Sequence, residues 1–289
     1  MTMRDVMDDP RAMAAVKAAL TEDVGEGDAT TLALVDPAAR ATGEILAREA
    51  CRVAGGTVAS AVLACIDPEL RVAVVVPDGQ PVEPGGTILT IEGKAASILT
   101  AERTALNFMQ RMCGIATLTA RFVEAVQAHG TMILDTRKTT PNLRLFEKYA
   151  VTCGGGTNHR FGLYDRVLVK DNHRRLWQGG DPDRLDLAVA AAREAFPLLE
   201  VEIEVESVAE CQSALRGRPE WIMLDNMSCE MMRACVALCR GVSKTEASGG
   251  ITLARAREVA ATGVDAISLG CLTHSAPSVD LSLEWRAVR

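Results

Sequence analysis

The second half of the chain alternates short apolar segments with longer amphipathic ones from about residue 130 onward, and this pattern constrains the fold most strongly. The apolar runs have the length of buried strands, and the segments between them place apolar residues at helical spacing. Strands that alternate with helices form parallel sheets, because each helix returns the chain to the start of the next strand, so we expect a parallel α/β fold. The predicted strands are 131–135, 167–170, 201–205, 221–224, 243–246 and 265–269. The predicted helices are 143–150, 183–195, 208–215, 228–240 and 252–261.

Polar or small residues follow each predicted strand directly. The strand endings are Asp135-Thr136-Arg137-Lys138, Lys170-Asp171-Asn172-His173, Glu204-Val205-Glu206, Asp225-Asn226, Glu246-Ala247-Ser248-Gly249-Gly250 and Gly270-Cys271. Enzymes built on (β/α) barrels carry their chemistry at this end of the strands. A doubly wound open sheet would instead carry a glycine-rich phosphate turn after its first strand, and the sequence has none there. Because only six strands are clear, we predict an open, incomplete parallel α/β barrel that resembles a TIM barrel.

The N-terminal part of the chain follows a different pattern, with short strand-like runs that turn-forming residues separate. Its predicted elements are a helix over about 10–22, a loop at 28–31, strands at 71–76 and 87–91, and a long helix over about 96–126 with a candidate break at Cys113-Gly114. We therefore divide the chain into an N-terminal α/β domain (1–115) and a barrel domain (116–275). We expect the last residues (276–289) to return to the N-terminal domain.

Basic residues are concentrated in one segment of an otherwise acidic chain, whose net charge is −7. Residues 137–175 hold nine Lys or Arg against three acidic residues, so this segment carries +6 and the remainder −13. The overall acidic balance disfavours binding to a nucleic-acid duplex, whereas a basic cleft in an acidic protein concentrates small polyanions. For four of these residues the alternative is that they only solvate helix faces: Arg144, Lys148, Arg174 and Arg175.

Several cationic or hydrogen-bond-donating side chains follow the first two predicted strands or lie in the loop between them. They are Arg137, Lys138, His159, Arg160 and Lys170. If the two strands are neighbours, these groups converge on one end of the barrel, where an anionic ligand relieves their mutual repulsion. Arginines bind carboxylates through two parallel hydrogen bonds, and lysines suit less directional contacts with phosphate. The topology alone does not place Arg103, which lies on the long predicted helix.

Two carboxylates, Glu204 and Asp225, end consecutive predicted strands and are expected to stand side by side. One interpretation pairs them with the lysines above. The other has them bind Mg²⁺ and sugar hydroxyls, since magnesium favours one or two carboxylates together with substrate phosphates. The last two strand ends are glycine-rich, at Ser248-Gly249-Gly250 and Gly270-Cys271. Backbone N–H groups at a glycine turn before a helix bind phosphate, and many barrels hold phosphate after their late strands.

Seven segments, spread over nearly the whole chain, share their order and spacing with one family. They are Glu22-Asp23-Val24-Gly25-Glu26-Gly27-Asp28, Glu102-Arg103-Thr104-Ala105-Leu106-Asn107, Asp135-Thr136-Arg137-Lys138-Thr139-Thr140-Pro141, Gly154-Gly155-Gly156-Thr157-Asn158-His159-Arg160, Leu168-Val169-Lys170-Asp171-Asn172-His173, Leu224-Asp225-Asn226 and Ser248-Gly249-Gly250. Together they resemble the quinolinate phosphoribosyltransferases (decarboxylating) of the bacterial type, also called nicotinate-nucleotide pyrophosphorylases. The resemblance implies a pentosyltransferase that joins quinolinate and phosphoribosyl pyrophosphate into nicotinate mononucleotide, with release of pyrophosphate and CO₂, in the de novo biosynthesis of NAD.

The resemblance also implies an arrangement of parts. The N-terminal domain would be an α/β sandwich, and in a homodimer it would cover the barrel mouth of the other subunit, so that Arg103 reaches the partner's site. The two carboxylates of quinolinate would be held by Arg137, His159 and Arg160. The remaining implied assignments are Lys138 and Lys170 between quinolinate and pyrophosphate, Glu204 and Asp225 at the ribose hydroxyls and Mg²⁺, and Ser248, Gly249 and Gly270 at the 5-phosphate.

Two other functions compete with this one. Lys170 at a strand end would suit an aldolase that forms a Schiff base, but such a lysine needs an apolar pocket rather than several neighbouring cations. Residues 78–91 resemble half of a lipoyl or biotinyl carrier domain, with Lys94 as the candidate attachment site. The second half of such a domain is not evident in the sequence.

The composition bears on location and on partners. Acidic residues stand where a signal peptide would carry its apolar stretch, and no run approaches the length of a membrane span, so we predict a cytoplasmic protein without membrane association. Aromatic residues make up 3% of the chain, too few for stacking on nucleic-acid bases. Nine cysteines lack CxxC spacing. For Cys229, Cys235 and Cys239 we favour buried thiols over a zinc site, because no histidine lies nearby in the sequence.

Overall fold

The computed structural model describes residues 5–178 and 180–288, excluding the side chains of residues 287 and 288. The described residues divide into two compact units. The first unit comprises those in 5–120, 138–155 and 271–288, and the second those in 121–137 and 156–270. Besides the C-terminal return, a second stretch of chain thus joins the first unit, and it begins at Lys138.

The first unit contains helices and short strands in alternation. They are α1 (Pro10–Val24), α2 (Ala29–Leu34), β1 (Arg40–Ala47), β2 (Cys51–Arg52), α3 (Gly56–Ile66), β3 (Arg71–Val74), β4 (Pro81–Val82), β5 (Thr87–Lys94), most of α4 (Ala95–Val126), α5 (Arg144–Cys153), α11 (Cys271–His274) and β12 (Leu281–Val288). The predicted helix at 10–22 and the predicted strands at 71–76 and 87–91 correspond to α1, β3 and β5.

A four-stranded antiparallel sheet of order β12-β1-β5-β3 forms the centre of the first unit. Along β1, the buried residues Ala41, Ile45 and Ala47 alternate with more exposed ones. This period of two is what a strand with one covered face requires. The C-terminal strand β12 pairs with β1 and places Leu283 opposite Ile45, so the last residues of the chain complete this sheet.

Helix α2 corrects the prediction of a loop at residues 28–31. Asp28 is the N-cap of this helix, and its Oδ1 accepts a hydrogen bond from the backbone N–H of Thr31 at 3.0 Å. A carboxylate at the N-cap satisfies one of the N–H groups that have no partner at a helix start. The polar residues that indicated a loop therefore begin a helix.

Helix α4 runs without interruption from Ala95 to Val126, so the candidate break at Cys113-Gly114 is wrong. Gly114 permits close packing instead, because a Cβ at this position would lie 2.0 Å from the carbonyl oxygen of Pro277. Next to this contact, the backbone N–H of Val279 donates to the carbonyl oxygen of Gln110 at 3.1 Å. The glycine thus lets the chain that leads into β12 lie directly on the helix.

The alternative of a carrier domain is wrong as well. Lys94 is the last residue of β5, which continues directly into α4. Its Nζ lies 3.4 Å from Oε2 of Glu69. An attachment lysine would instead occupy an exposed turn between two strands.

The second unit contains the predicted alternation of strands and helices. Its elements are β6 (Met132–Leu134), β7 (Val167–Val169), α6 (Asp171–Arg175), α7 (Leu185–Ala195), β8 (Val201–Val205), α8 (Val208–Arg216), β9 (Trp221–Asp225), α9 (Cys229–Cys239), β10 (Lys244–Ser248), α10 (Leu253–Ala260) and β11 (Ala266–Ser268). All its strand pairings are parallel, in the order β6-β11-β10-β9-β8-β7. The prediction of a six-stranded parallel α/β sheet is confirmed.

The sheet order opens the barrel between its first two strands. Although β6 and β7 follow one another in the chain, they form the two edges of the sheet, so the condition that these two strands are neighbours is not met. A short segment lies along the free edge of β6: the N–H of Thr157 donates to the carbonyl oxygen of Ile133 at 2.8 Å, and the N–H of Asp135 donates to that of Thr157 at 3.3 Å. The chain that precedes His159 and Arg160 therefore runs beside β6.

The basic residues for which the alternative was an exposed helix face differ in their surroundings. Lys148 in α5 is 2% exposed, which contradicts that alternative for this residue. Arg174 lies 3.0 Å from Oε1 of Glu210, and the exposed Arg175 lies 3.8 Å from Oδ2 of Asp171 one helical turn away. Within the described ranges, no helix combines the length and the apolar character that crossing a membrane requires.

Candidate active site

Two carboxylates of the second unit are buried along one face of strand β8. In β8, Glu202 and Glu204 alternate with Val201, Ile203 and Val205, and all five residues are buried. Because successive side chains of a strand point to opposite faces, the two glutamates share one face and the apolar side chains the other. Burying a carboxylate is costly unless a partner compensates for it. A strand that buries two carboxylates on one face therefore indicates a functional site.

His159 supplies that partner. The buried Asp135, at the end of β6, accepts a hydrogen bond from the backbone N–H of His159 at 2.8 Å. The imidazole Nε2 lies 2.9 Å from Oε2 of Glu202 and 3.4 Å from Oε2 of Glu246 in β10. Both glutamates are 0% exposed. Arg166 adds a second positive charge, with Nη1 3.3 Å from Oε2 of Glu202.

This cluster of His159, Glu202, Glu246 and Arg166 shifts the pKa values of its members. Burial alone would lower the pKa of His159, but the hydrogen bonds and charges of the two glutamates outweigh it and raise the pKa to about 9. Burial and the charge of Glu202 raise the pKa of Glu246. The pKa of Glu202 is lowered, because its bonds to His159 and Arg166 outweigh its burial. These shifts favour the ionised form of Glu202 and the protonated forms of Glu246 and His159.

The position of the proton on His159 follows from its contacts. Nδ1 accepts a hydrogen bond from the backbone N–H of Arg160 at 2.7 Å, which suits a neutral ring, whereas the raised pKa favours the charged ring. Nε2 carries a proton in both cases, because it faces the carboxylate of Glu202. His159 thus connects the buried carboxylates to the backbone of Arg160 in either form.

Two guanidinium groups lie close together beside this cluster. The pKa of Arg160 is lowered, first by burial and then by the positive charge of Arg137. Arg160 also donates from Nη1 to the carbonyl oxygen of Arg166 at 3.2 Å, which fixes the direction of its side chain. Neighbouring, half-buried cations are unfavourable by themselves and favour binding of an anion.

Lys170 and Glu204 form an ion pair between the ends of β7 and β8. This confirms, for Glu204, the pairing with a lysine that the sequence left as one interpretation. The Lys170 side chain is 41% exposed and has a carboxylate partner. Both features differ from the apolar pocket that a Schiff-base lysine needs, so the structure does not support an aldolase.

The segment that follows β10 contains two glycines in conformations that favour glycine, and it lies beside the end of β9. Asp225 pairs in register with Ser248, and the backbone N–H of Asn226 donates to the carbonyl oxygen of Ser248 at 2.9 Å. Gly249 has φ +97°, and a Cβ there would lie 2.2 Å from Oδ1 of Asn226. Gly250 has φ +58°. These conformations favour glycine, and at Gly249 the absence of a Cβ lets the Asn226 side chain pack directly against the backbone.

The structure places most of the predicted site residues at the carboxyl ends of strands of the second unit or in the segment beside β6. These are Arg137, His159, Arg160, Lys170, Glu204, Asp225, Ser248, Gly249 and Gly270. Lys138 and Arg103 belong to the first unit, and both are exposed. Sequence reasoning missed Glu202 and Glu246. A signal for them was present, since each stands in a predicted strand or strand ending that contains a residue already assigned to the site, Glu204 or Ser248.

One group of three side chains in the described part of the chain has metal-ligand spacing: His159, Glu202 and Glu246. Its charges are already compensated by His159 and Arg166, so we interpret it as an ion-pair cluster. The three cysteines that were weighed as zinc ligands are free thiols, and Cys235 and Cys239 are buried, as predicted.

Comparisons with known proteins agree with this geometry. Family models for the N-terminal and the C-terminal domain of quinolinate phosphoribosyl transferase match residues 28–113 and 115–284. A quinolinate phosphoribosyltransferase (decarboxylating) of Nicotiana tabacum is 40% identical over 285 residues, which cover 93% of this chain and 81% of that protein. A probable nicotinate-nucleotide pyrophosphorylase (carboxylating) of Synechocystis sp. is 39% identical over 269 residues, which cover 92% of this chain and 89% of that protein.

The fold gives the same answer. The nicotinate-nucleotide pyrophosphorylase of Francisella tularensis superposes with a TM-score of 0.90 at 35% identity, and the match covers 99% of this chain and 100% of that one. Sequence and structure therefore agree along nearly the whole chain. The chain belongs to the quinolinate phosphoribosyltransferase family.

Proposed function

We propose that this enzyme transfers the phosphoribosyl group of phosphoribosyl pyrophosphate to the ring nitrogen of quinolinate. The products are nicotinate mononucleotide, pyrophosphate and CO₂, a step of NAD biosynthesis. The single observation that carries the proposal is the pair of half-buried guanidinium groups, Arg137 and Arg160, beside the buried His159. A planar dicarboxylate matches two forked guanidinium groups better than a single phosphate does.

Arg137 and Arg160 would each bind a carboxylate of quinolinate. His159 has hydrogen-bond partners on both ring nitrogens within the protein, so its main contribution would be to hold Arg160 and to add positive charge below the ligand. Removing one charged hydrogen bond of such a clamp costs about 1.5–3 kcal/mol. The clamp would direct the pyridine nitrogen towards C1 of the ribose.

The sugar substrate would bind along the other strand ends. Ser248, Gly249 and Gly270 would hold the 5-phosphate, which the positive φ of Gly249 and the close backbone at the β10 end support. Lys138 and Lys170 would lie beside the pyrophosphate. Glu204 and Asp225, at the ends of neighbouring strands, would contact the ribose hydroxyls.

The same two carboxylates fit Mg²⁺. Magnesium is commonly held by one or two protein carboxylates and completes its shell with water and substrate phosphates. Glu204 and Asp225 offer such a set at adjacent strand ends, and the Asp225 carboxylate is oriented by a hydrogen bond from Nδ2 of Asn226 at 2.7 Å. Bound there, Mg²⁺ would neutralise negative charge on the leaving pyrophosphate.

The chemistry follows from charge. As pyrophosphate leaves, C1 of the ribose gains oxocarbenium character, and the ammonium groups of Lys138 and Lys170 stabilise the departing negative charge. The pyridine nitrogen, held in place by Arg137 and Arg160, attacks C1, and positioning supplies much of the rate. The new bond leaves this nitrogen positively charged. The electron pair left behind by CO₂ is therefore stabilised on the adjacent ring carbon, which then takes up a proton.

Product formation tests the proposal. The protein is supplied with quinolinate, phosphoribosyl pyrophosphate and Mg²⁺, and nicotinate mononucleotide and CO₂ are measured. Nicotinate, which lacks the 2-carboxylate, is the matched control substrate and is expected to react far more slowly. Absence of both products from quinolinate would overturn the proposed function, and equal rates for the two substrates would overturn the dicarboxylate clamp.

We also propose a homodimer in which Arg103 completes the partner's site. Two observations support it: the Arg103 side chain is exposed on α4, and helix α2 carries two exposed leucines, Leu32 (76% exposed) and Leu34 (80% exposed). Apolar side chains exposed in this way are expected where a second subunit packs. The nine free thiols support the proposed cytoplasmic location, because that compartment is reducing.

Hybrid dimers test the shared site. We expect Arg103→Ala and Arg137→Ala subunits to have low activity alone, but a hybrid dimer carries both changes in one site and neither in the other. Random mixing should therefore restore about a quarter of the wild-type activity, since half of the dimers are hybrids with one intact site. Activity that stays at the level of the single variants after unfolding and refolding the mixture would show that Arg103 acts in its own subunit.

A further inference from the structure

Lys138 begins a loop whose main chain is held by buried side chains of the first unit. The loop lies between Arg137 and α5, and the Lys138 side chain itself is exposed. Fixing a lysine side chain costs rotamer entropy, because its four-carbon stem is flexible. An exposed lysine at the start of a loop reaches a defined position only if the main chain that carries it is itself fixed.

Thr273 fixes the first residue of this loop. Its Oγ1 donates a hydrogen bond to the carbonyl oxygen of Lys138 at 2.7 Å, and the side chain is 0% exposed. Thr273 lies in the short helix α11, which begins directly after Gly270. A contact from α11 therefore holds the backbone at the residue whose ammonium group the reaction needs.

Glu147 fixes the loop two residues further on. It lies in α5 and is 1% exposed. Its Oε2 accepts from the backbone N–H of Thr140 at 3.0 Å, and its Oε1 accepts from the Thr140 hydroxyl at 2.8 Å. Both carboxylate oxygens thus bind the same loop residue.

Arg111 joins the two anchors. Its Nη2 and Nε lie 2.8 and 3.2 Å from Oε1 of Glu147, so the buried carboxylate has a partly buried cationic partner. Arg111 also donates from Nη2 to the carbonyl oxygen of Thr273, and from Nη1 to that of Ala276 at 3.0 Å. The hydrogen bonds therefore run from Lys138 through Thr273, Arg111 and Glu147 to Thr140.

We propose that Thr273, Arg111 and Glu147 are positioning residues that hold the Lys138 loop so that the Lys138 ammonium group engages the pyrophosphate of the sugar substrate. The role of Lys138 rests on the proposed function, whereas the restraint on the loop rests on the hydrogen bonds alone. The ion pair of Arg111 and Glu147 bonds the Lys138 loop on one side and the end of α11 on the other. It is difficult to displace, because opening it leaves the buried charge of Glu147 without a partner.

The test uses threonine variants that preserve shape. Thr273→Val removes the hydroxyl with little change of volume, and Thr273→Ser retains it. Thr119→Val is the matched control, because Thr119 is also 0% exposed in the first unit and its hydroxyl bonds only within α4, to the carbonyl oxygen of Ile115 at 2.8 Å. Glu147→Gln is the second variant, in which one oxygen becomes an amide nitrogen that cannot accept.

Three measurements are made on the full chain: steady-state kinetics, binding of inorganic pyrophosphate, and hydrogen exchange of the peptide that contains the Thr140 amide. We expect Thr273→Val to lower kcat about tenfold, the equivalent of one hydrogen bond, with a smaller change in the KM for quinolinate. It should weaken pyrophosphate binding and speed exchange at Thr140. Thr273→Ser should restore all three values, and Thr119→Val should leave them unchanged at a similar melting temperature.

Two outcomes would overturn the proposal. The first is that Thr273→Val and Glu147→Gln show the same kinetics, pyrophosphate binding and loop exchange as Thr119→Val. The other is equal loss in Thr273→Val and Thr119→Val, which would indicate general destabilisation. If the wild-type protein forms no nicotinate mononucleotide, the proposed function fails separately, and pyrophosphate binding and exchange still decide whether these residues hold the loop.

Discussion

Two strands, β1 of the antiparallel sheet and β8 of the parallel sheet, bury different kinds of side chain. In β1 of the first unit the buried face is apolar, with Ala41, Ile45 and Ala47, and charged side chains lie on the more exposed face. In β8 of the second unit the apolar side chains occupy one face, and Glu202 and Glu204 occupy the other while remaining buried. Burial alone explains the first strand. The second strand carries a desolvation cost that a purely structural sheet would avoid, and this marks it as part of the site.

Among these variants, we expect removal of Glu202 to have the largest effect on stability. Glu202→Ala removes the buried carboxylate that His159 and Arg166 share, leaving only their second partners, Glu246 and Glu200. We expect a loss of about 3–5 kcal/mol in the free energy of unfolding. Glu44→Ala in β1 is the matched control, because Glu44 pairs with the exposed Arg286 at 2.7 Å and should contribute about 1 kcal/mol or less. Denaturant titration measures both. Equal losses would show that the buried carboxylate is not special.

The pH dependence of stability sharpens the same point. The folded state binds the His159 proton more tightly than the unfolded state, because Glu202 and Glu246 outweigh burial and raise its pKa from 6.5 to about 9. The stabilisation is therefore complete below about pH 6.5 and is lost as the pH rises through about 9. We expect the free energy of unfolding to fall by up to about 3 kcal/mol across this window. His159→Asn should remove that decrease, and a decrease that persists in this variant would assign it to other groups.

Arg137→Ala separates function from stability. The side chain lies half-buried beside Arg160, so its loss should remove one charged contact with quinolinate and lower kcat/KM by the equivalent of about 1.5–3 kcal/mol, with little change in melting temperature. Lys138→Ala should act similarly. Arg48→Ala is the control, because Arg48 forms an exposed ion pair with Glu284 next to the antiparallel sheet. Unchanged kinetics in Arg137→Ala would remove the anion clamp.

The smallest effect is expected in the apolar face of β1. Ile45→Val removes one buried methylene between β5 and β12 and should cost about 0.5–1.5 kcal/mol of stability without changing turnover. A loss of activity in Ile45→Val as large as that in Arg137→Ala would contradict the distinction between the two strands. Thermal unfolding and steady-state kinetics of one preparation provide both values.

Regular features of the parallel sheet were visible in the sequence because strands buried on both faces need continuous apolar runs. All six predicted strands are present, and the residues after them form most of the candidate site because parallel strands end at one edge. Glu202 and Glu246 were missed because the sequence pattern of a strand does not show which charged residue has a buried partner. The break in α4 was predicted from Gly114, whose role depends on Pro277, a residue far away in the chain.

The sequence by itself determined the strands of the parallel sheet, most of the helices between them, the family and the kinds of side chain at each strand end, because periodicity and motif spacing are local properties. Only the tertiary structure decided that β6 and β7 lie at opposite edges of the sheet, that His159 meets two buried glutamates, and that Thr273 holds the carbonyl of Lys138. Such contacts join residues that are tens of positions or more apart in the chain. Their energies depend on burial and distance, which are fixed only when the whole chain is packed.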